Sequence, residues 1–394
     1  MARPLNDRPA LTGAEQLAGL AAPAAGQAAG RPDAGWRRLA NTALLPAAGA
    51  GPDWLGAMLE DLGSRAHPLI ARSDEAITGL MAVECKGLEA GYPATIAASW
   101  HTDLTFAGTP LVARADAAGA LAGLVRAAGA ELGARALLIA GSEADAALMA
   151  AVAEAAGRLG VDWRLIASHE RAALRPAGAS YETWLEKNFS TKKRKEFRRI
   201  KARLAATGDL AFESLEPGEA VAPWVDDFIA LERAGWKGRR GTAVGCDEAL
   251  TAMLHKGLGR LAARGDLGFW KLSLDNHPAA MLFAPMAGER AWLLKIAHDE
   301  ALARFSPGVL IILEATRELM AAGRFSLIDS CAMPGHWLIE HLWRERIAIA
   351  DFMIATPGTP QWLFALVVAA ERGRRAVRAA GKRTFYALTG RRVK

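Results

Sequence analysis

The sequence predicts a mixed α/β protein built from two domains. Three short apolar runs, residues 268–274, 278–286 and 291–297, are separated by turn residues, which is the pattern of an antiparallel meander. A helix to about residue 322 and a strand at residues 325–330 follow, so helices and strands belong to one unit. With 394 residues, of which 52% are hydrophobic, the chain is long enough to form two domains, each with a core.

The first half of the chain has its own series of elements. Residues 1–34 are rich in Ala, Gly and Pro and are predicted to be a disordered tail. The first domain is predicted at residues 35–178. Its predicted strands are 68–73, 76–85, 94–99, 136–140 and 161–167, and its predicted helices are 52–62, 116–129 and 142–157.

A second domain is predicted at residues 179–358. The domain begins with two helices within residues 181–206. The series then runs strand 210–215, helices 218–234 and 247–264, the meander, the helix, strand 325–330, helix 337–346 and strand 347–353. The order is therefore β-α-α-β-β-β-α-β-α-β. Residues 359–394 form a separate C-terminal segment with a helix at 361–379.

The net charge of +6 is concentrated in two places. Nine Lys and Arg side chains lie between Lys187 and Arg203, and nine more lie between Glu371 and Lys394, with one acid in each stretch. Each cluster is consistent with an anionic partner or with a solvated helix face. The C-terminal helix is apolar first and basic later, so it could contact an anionic membrane surface or pack on the first domain.

The compartment is predicted from absences in the sequence. No run of about 20 apolar residues is found, which is the length that crosses a bilayer, and the N-terminus lacks a compact apolar signal core. The cysteines Cys85, Cys246 and Cys331 are far apart and match no metal-ligand spacing. We expect a cytoplasmic protein without a metal, with peripheral contact at the inner face of the membrane as an option.

The segment Ser306-Pro307-Gly308 is the first candidate for a binding site. Ser306 is a suitable N-cap residue, and Pro307 suits the first helical position. The first N–H groups of a helix have no partner within the helix, so they attract anions. The segment predicts a phosphate site, or else a plain helix start.

Several motifs, together with the order of elements, resemble one enzyme family. The motifs are the basic residues 190–195, Trp236-Lys237, the turn 265–267, residues 294–300, residues 305–308 and the stretch from Ile328-Asp329 to Trp343. Together they resemble the cellulose-biosynthesis-type GNAT acetyltransferases, which are related to the Fem-type aminoacyltransferases. The resemblance covers residues 181–356. The sequence departs from the family pattern in two places. Gly308 follows Arg304 one position later than the glycine of the family's phosphate-binding loop does, and His298 stands where the family is expected to have an aromatic hydroxyl.

The resemblance implies tandem GNAT-like domains, the first degenerate and the second active. It also implies transfer of an acetyl or other acyl group from acetyl-CoA or another acyl-CoA. The acceptor would be an amine or hydroxyl of a small molecule, such as an amino sugar or a precursor of the cell envelope or of a polysaccharide. Residues expected to bind the donor are Lys295, Ile296, Arg304, Ser306, Gly308, Val309 and Leu310.

Three residues are candidates for proton transfer. Asp299 is the first choice because it follows the central strand, where a base would face the thioester. His298 is the second, since its ordinary pKa of about 6.5 suits transfer near neutrality. His336 is the third. The alternative for each is a structural role in a polar loop or turn.

Trp236, Lys237 and Asp329 are candidates for binding the acceptor. A Trp face flanked by cations suits a sugar or an anion, although Trp236 could also be a plug between helices. Asp329 could orient the acceptor or cap a turn. Lys295, on an apolar strand, needs an anion, which would be a donor phosphate or an acceptor carboxylate.

Two other functions stay open at this point. A Fem-like enzyme would use aminoacyl-tRNA and bind RNA in a salt-dependent way, whereas an acyl-CoA enzyme has no need of RNA. A binding or scaffold protein with a decayed site would bind neither donor.

Overall fold

The computed structural model describes residues 34–106 and 108–389. The predicted disordered tail therefore lies outside the described residues, except for Ala34, where the first helix begins. In the first half the helices are α1 (Ala34–Thr42), α2 (Trp54–Leu62), α3 (Ala117–Leu132) and α4 (Ala146–Leu159). The strands are β1 (His67–Ser73), β2 (Ala76–Lys86), β3 (Ile96–Ser99), β4 (Leu111–Val112), β5 (Ala136–Glu143) and β6 (Trp163–Leu174).

The second half follows the predicted order closely. Its helices are α5 (Tyr181–Asn188), α6 (Thr191–Ala205), α7 (Val221–Ala234), α8 (Trp236–Arg239), α9 (Glu248–Ala262), α10 (Pro307–Ala321), α11 (Trp337–Glu340) and α12 (Gln361–Thr389). Its strands are β7 (Leu210–Ser214), β8 (Leu267–Leu274), β9 (His277–Ala287), β10 (Arg290–Trp292), β11 (Lys295–His298), β12 (Leu327–Asp329) and β13 (Glu345–Ala355).

One mixed sheet runs through both halves. Its strand order is β1-β2-β3-β5-β13-β6-β12-β10-β9-β8-β7, with β4 paired to β2 and β11 paired to β9. Strand β13 lies between β5 and β6, and β6 pairs with β12, so each half contributes its last strand to the other. The mixed α/β sheet that the sequence predicts is therefore confirmed.

Two ion pairs join the halves beside the exchanged strands. Arg171 of β6 binds the buried carboxylate of Asp329 on β12. Arg290 of β10 binds Glu143 of β5. Because all four side chains are largely enclosed, these contacts fix how the two halves sit against each other.

Several predicted elements differ from the structure, among them the following three. The single predicted strand 291–297 is two strands, β10 and β11. Strand β10 pairs with both β9 and β12, whereas β11 pairs with β9. The predicted helix 337–346 ends at Glu340, because the chain enters β13 at Glu345. The predicted strand 161–167 extends to Leu174, where it reaches the second half of the sheet.

The first turns of α12 pack on the first half of the protein. Phe364, Val367 and Val368 are buried in one cluster with Tyr92 and Leu138. Tyr92 donates a hydrogen bond to the buried Glu371 of the same helix. For this part of α12 the structure favours packing over a membrane contact. Among the described residues, no helix combines the length and apolar character needed to cross a bilayer.

Candidate active site

The central feature of the site is a bulge between β10 and β11. Strand alternation predicts that neighbouring side chains point to opposite faces of the sheet. Leu293 and Ile296 pack on the core that contains α10, and Leu294 packs on the opposite core, which contains α7. Lys295 also points to the α7 side, where it meets Glu232. Two consecutive side chains thus share a face, which is the signature of a β-bulge.

The bulge opens a slot between β11 and β12. The last backbone hydrogen bond between these two segments runs from Leu293 N–H to Asp329 O, at 2.9 Å. Beyond it β11 pairs with β9, and no strand of the described chain pairs with its other edge. Asp299 N–H donates to Ala279 O on β9. Because backbone groups alternate in direction along an antiparallel strand, those of Ile296 and His298 face the slot.

The N-terminus of α10 lies beside this slot. Pro307 has no N–H, and the N–H groups of Val309 and Leu310 both donate to Ser306 O, at 2.9 and 3.2 Å. Of the predicted phosphate-binding N–H groups, that of Gly308 is the one left without such a bond in this first turn. Ser306 does occupy the N-cap position, but its φ of 50° is left-handed and its side chain makes no capping bond.

Gly308 itself sits close to the slot. A β-carbon built on it would lie 3.6 Å from Ile296 Cδ1, 3.6 Å from Leu338 Cδ2 and 3.7 Å from His298 Nδ1. These are ordinary contact distances, so a small side chain fits there. Anything bulkier would extend among these three residues. Gly308 thus allows a ligand to approach the helix end closely.

Cations flank the same helix end. The guanidinium groups of Arg304 and Arg203 lie 4.7 and 5.7 Å from the ring centre of Phe305. Arg304 is exposed on the short 3₁₀ helix Glu300–Phe305, which α6 contacts. Both guanidinium groups thus lie against Phe305, two positions before the first residue of α10.

His298 faces α10, and the pKa of its imidazole is below the ordinary value. Burial is the main cause, and the charge of Lys237 adds to it, while Glu300 and Asp299 act in the opposite direction. The ring is therefore neutral at neutral pH. Its position next to Gly308 puts it at the helix end of the slot.

A buried carboxylate that the sequence did not predict lies on the other face of β11. Glu232, at the end of α7, is only 4% exposed. Its Oε1 accepts hydrogen bonds from Lys237 Nζ at 2.7 Å and Lys295 Nζ at 3.1 Å, and its Oε2 accepts one from Val244 N–H at 2.8 Å. We call Glu232, Lys237 and Lys295 the two-lysine cluster. No spacing in the sequence links these residues, because they come from α7, α8 and β11.

Charge and burial work against each other within the two-lysine cluster. Burial raises the pKa of Glu232, but the charges of Lys295 and Lys237 together with hydrogen bonds bring it below the ordinary value. Burial lowers the pKa of Lys295, while Glu232 works against that shift. The negative charge of the exposed Asp103, from the first half of the chain, also works to raise the pKa of Lys295. The two lysines and one carboxylate leave a net charge of +1.

The joint between α7 and α9 is ordered around Glu300. Its carboxylate accepts hydrogen bonds from Trp236 N–H and from Arg239, each at 2.6 Å. Arg240 lies 4.9 Å from the ring centre of Trp236. Trp236 itself is 46% exposed, so it is not a plug between helices. Its indole is open to a ligand beside the two-lysine cluster.

Asp299 and Asp329 are both engaged with the protein itself. Asp299 Oδ1 accepts from Ala301 N–H at 2.8 Å and caps the 3₁₀ helix. Asp329 is 4% exposed, binds Arg171 and accepts from Cys331 N–H at 2.9 Å. Burial raises its pKa, and Arg171 limits the rise. The structure therefore does not bring Asp329 into the slot.

His336 lies on the loop between β12 and α11. Its neighbours Met333 and Trp337 are exposed, and its N–H donates to Met333 O at 3.1 Å. Desolvation lowers the pKa of His336, and the charge of Lys237 contributes. The positive charge of Lys237 thus helps to lower the pKa of Lys295, of His298 and of His336, although the three residues lie on separate segments.

The first half contains an equivalent parallel strand pair, β3 and β5, but its slot is filled. Ser99 Oγ donates to Leu138 O at 3.3 Å and accepts from Ala140 N–H at 2.9 Å. Gly108 N–H donates to Gly141 O at 2.9 Å. A β-carbon on Gly108 would lie 1.7 Å from Ala140 O. The chain itself therefore forms hydrogen bonds with the edge of β5 that would otherwise be free.

The described residues hold no group of three or more His, Cys, Asp or Glu side chains arranged to bind a metal ion.

Comparisons with known proteins bear on the second half and on the fold as a whole. Residues 191–337 match the family described as "Acetyltransferase (GNAT) domain". No curated protein matches the chain. The crystal structure of FemX is similar over 84% of this chain and 97% of that one, with 10% identity and a TM-score of 0.54.

A second solved structure is the C-terminal domain (DUF2156) of a putative lysylphosphatidylglycerol synthetase from Agrobacterium fabrum. The similarity covers 82% of this chain and 91% of that one, with 16% identity and a TM-score of 0.50. At these identities the likeness concerns the fold. With the GNAT match, it confirms the predicted fold class and supports an acyltransferase: the chain has the mixed α/β fold of tandem GNAT-like domains.

Proposed function

We propose that the protein transfers an acetyl or other acyl group from acyl-CoA to an amine or hydroxyl of a small molecule. The observation that carries this proposal is the slot between β11 and β12. Its free strand edge suits an extended amide-bearing chain, which would pair with it as an added strand. The N–H of Gly308 and the cations Arg304 and Arg203 suit the phosphates at one end of that chain.

This orientation assigns the two ends of the slot. With phosphates at Gly308, the thioester would lie toward the bulge at Lys295. Three residue steps along β11 separate Lys295 from His298, or about 10 Å at roughly 3.3 Å a step. His298 therefore lies at the end of the slot proposed for the donor phosphates, away from the thioester. Lys295 of the two-lysine cluster therefore lies beside the proposed reaction centre.

The acceptor end is formed by Trp236, Lys237 and the loop of His336. An exposed indole with cations beside it suits a sugar ring or an anionic group. The resemblance in the sequence supports an amino sugar or a precursor of the cell envelope or of a polysaccharide, and the cellulose-biosynthesis type within the GNAT proteins. We infer that the first half of the protein binds no donor, because its own residues fill the equivalent slot.

Calorimetric titration of acetyl-CoA and free CoA tests the proposal. Gly308→Asp places a carboxylate among His298, Ile296 and Leu338, so we expect the affinity for both ligands to fall at least tenfold. Gly373→Asp is the matched control, since a β-carbon on Gly373 of α12 meets nothing within 4 Å. It should bind like the wild type.

The contrary result is also specific. If neither acetyl-CoA nor CoA binds the wild-type protein, the proposal is wrong, and the remaining candidates are a donor carried on RNA and a decayed binding or scaffold protein. If both bind, thiol release with amino sugars and other amines would identify the acceptor.

One observation favours a second candidate, a donor carried on RNA. Lys192, Lys195, Arg198 and Arg199 are exposed on α6, and none of them forms an ion pair with the described residues. This helix contacts the 3₁₀ helix beside Gly308. Replacing the four residues with Gln should abolish a salt-dependent affinity for tRNA if RNA supplies the acyl group. Unchanged binding, or none in the wild type, removes this candidate.

A further inference from the structure

The two-lysine cluster has more hydrogen-bond donors than its surroundings accept. An ammonium group has three N–H donors, and each lysine spends one on Glu232. The described residues offer neither lysine a second acceptor. The side chains of Lys295 and Lys237 are only 12% and 27% exposed. Partly buried donors of this kind call for an anion or ordered water.

The surrounding charges do not supply that anion. Glu300 is already bound to Arg239 and to Trp236 N–H, and Arg240 stacks on Trp236 without a carboxylate partner among the described residues. His298 and His336 are neutral at neutral pH, so neither supplies a negative charge. Asp103 is exposed and makes no hydrogen bond to either lysine. The net positive charge of the cluster therefore stays unbalanced next to the slot.

We propose that Lys237 and Lys295 together bind an oxyanion, a phosphate or a carboxylate, carried by the acceptor. This inference rests on the proposed acyl transfer and specifies the acceptor as an anionic amine or alcohol. Lysine suits this task as a point charge. Glu232 keeps both ammonium groups in place, and its Oε2 is itself held by Val244 N–H. Glu232 is thus a positioning residue.

The location of the cluster supports this role. Lys295 follows directly on the bulge that opens the slot, and Lys237 follows Trp236 in α8. An acceptor held by its anion would have its ring beside Trp236 and its nucleophile near the bulge. The donor phosphates at Gly308 are on the opposite face of β11, so the two anion sites stay separate.

The test is a phosphorus NMR titration of inorganic phosphate into the protein saturated with CoA, which keeps the donor site filled. We expect saturable phosphate binding that weakens at least tenfold in Lys237→Met and in Lys295→Met. Lys271→Met is the matched control. That lysine is similarly enclosed and lies between Glu213 and Asp227 with its ammonium 4.6 Å from the Trp224 ring. It should leave phosphate binding unchanged.

A parallel titration with acetate separates the two sources of the anion. Tighter binding of phosphate points to a phosphorylated acceptor, and tighter binding of acetate to a carboxylate. Binding of neither ion to the folded wild type, or equal binding by all three variants, overturns the inference. If CoA fails to bind, the proposed function falls, and the same titrations on the free protein still decide whether the cluster binds anions.

Discussion

Removing Glu232 should destabilise the protein far more than removing an exposed carboxylate. Glu232→Ala deletes three hydrogen bonds, two of them from ammonium groups. It leaves Lys295 enclosed next to Lys237 without a counter-charge, and it leaves Val244 N–H without an acceptor. Removing one partner of a buried ion pair costs about 3–5 kcal/mol. Because Lys237 is partly exposed and can be hydrated, we expect about 3 kcal/mol.

The assay is urea denaturation followed by tryptophan fluorescence. Glu300→Ala is the matched control, because Glu300 also binds one backbone N–H and one cationic side chain but lies at the surface. It should lose much less stability than Glu232→Ala, because solvent screens an ion pair at the surface. The double variant Glu232→Ala/Lys295→Met should be more stable than Glu232→Ala alone, since the uncompensated charge is gone. Additive losses, or a cost below about 1 kcal/mol for Glu232→Ala, would refute this account of the two-lysine cluster.

The same cluster has a defined dependence on pH. The pKa of Glu232 in the folded protein is below its ordinary value of 4.5. A group of this kind contributes stability above its unfolded pKa and loses it as the pH falls through the folded pKa. The difference in stability between the wild type and Glu232→Ala should therefore be constant near neutrality and shrink only below pH 4.5.

Two further predictions separate the roles of single residues and of the two halves. Asp299→Ala should cost about 1 kcal/mol of stability through the lost cap and change kcat/KM by less than about threefold. A loss of about 100-fold in thiol release without a loss of thermal stability would instead make Asp299 the base, as the sequence predicted. Calorimetry should give one CoA per chain, because Gly108 fills the first slot; two CoA per chain would contradict this.

Much of the fold could be predicted from the sequence because it depends on local signals. The turns at Asp275-Asn276 and at Gly288 separate the meander strands, and both turns have residues with positive φ. The exchange of β6 and β13 could not be predicted, since neither strand carries a local signal that identifies the strands it pairs with. The buried pair of Arg171 and Asp329 depends on that exchange, so its partners are 158 residues apart.

The candidate site was predictable only where its chemistry follows the chain. Gly308 and Arg304 stand out beside a helix start, and the structure places Gly308 next to Ile296 and His298 of β11. The bulge at Lys295 gives no signal, because Leu293 and Leu294 are apolar and the alternation breaks at a single residue. Glu232 looks like one more acid on an amphipathic helix, and its burial becomes visible only when α7, α8 and β11 meet.

The contrast between the two slots connects the fold to the proposed activity. Both halves have a parallel strand pair in the same place, β3 with β5 and β10 with β12. In the first, Ser99 and Gly108 close the space with hydrogen bonds. In the second, the bulge keeps it open and turns Lys295 toward Glu232. One extra residue in a strand therefore both exposes an edge for the donor and places a cation where an anionic acceptor would bind.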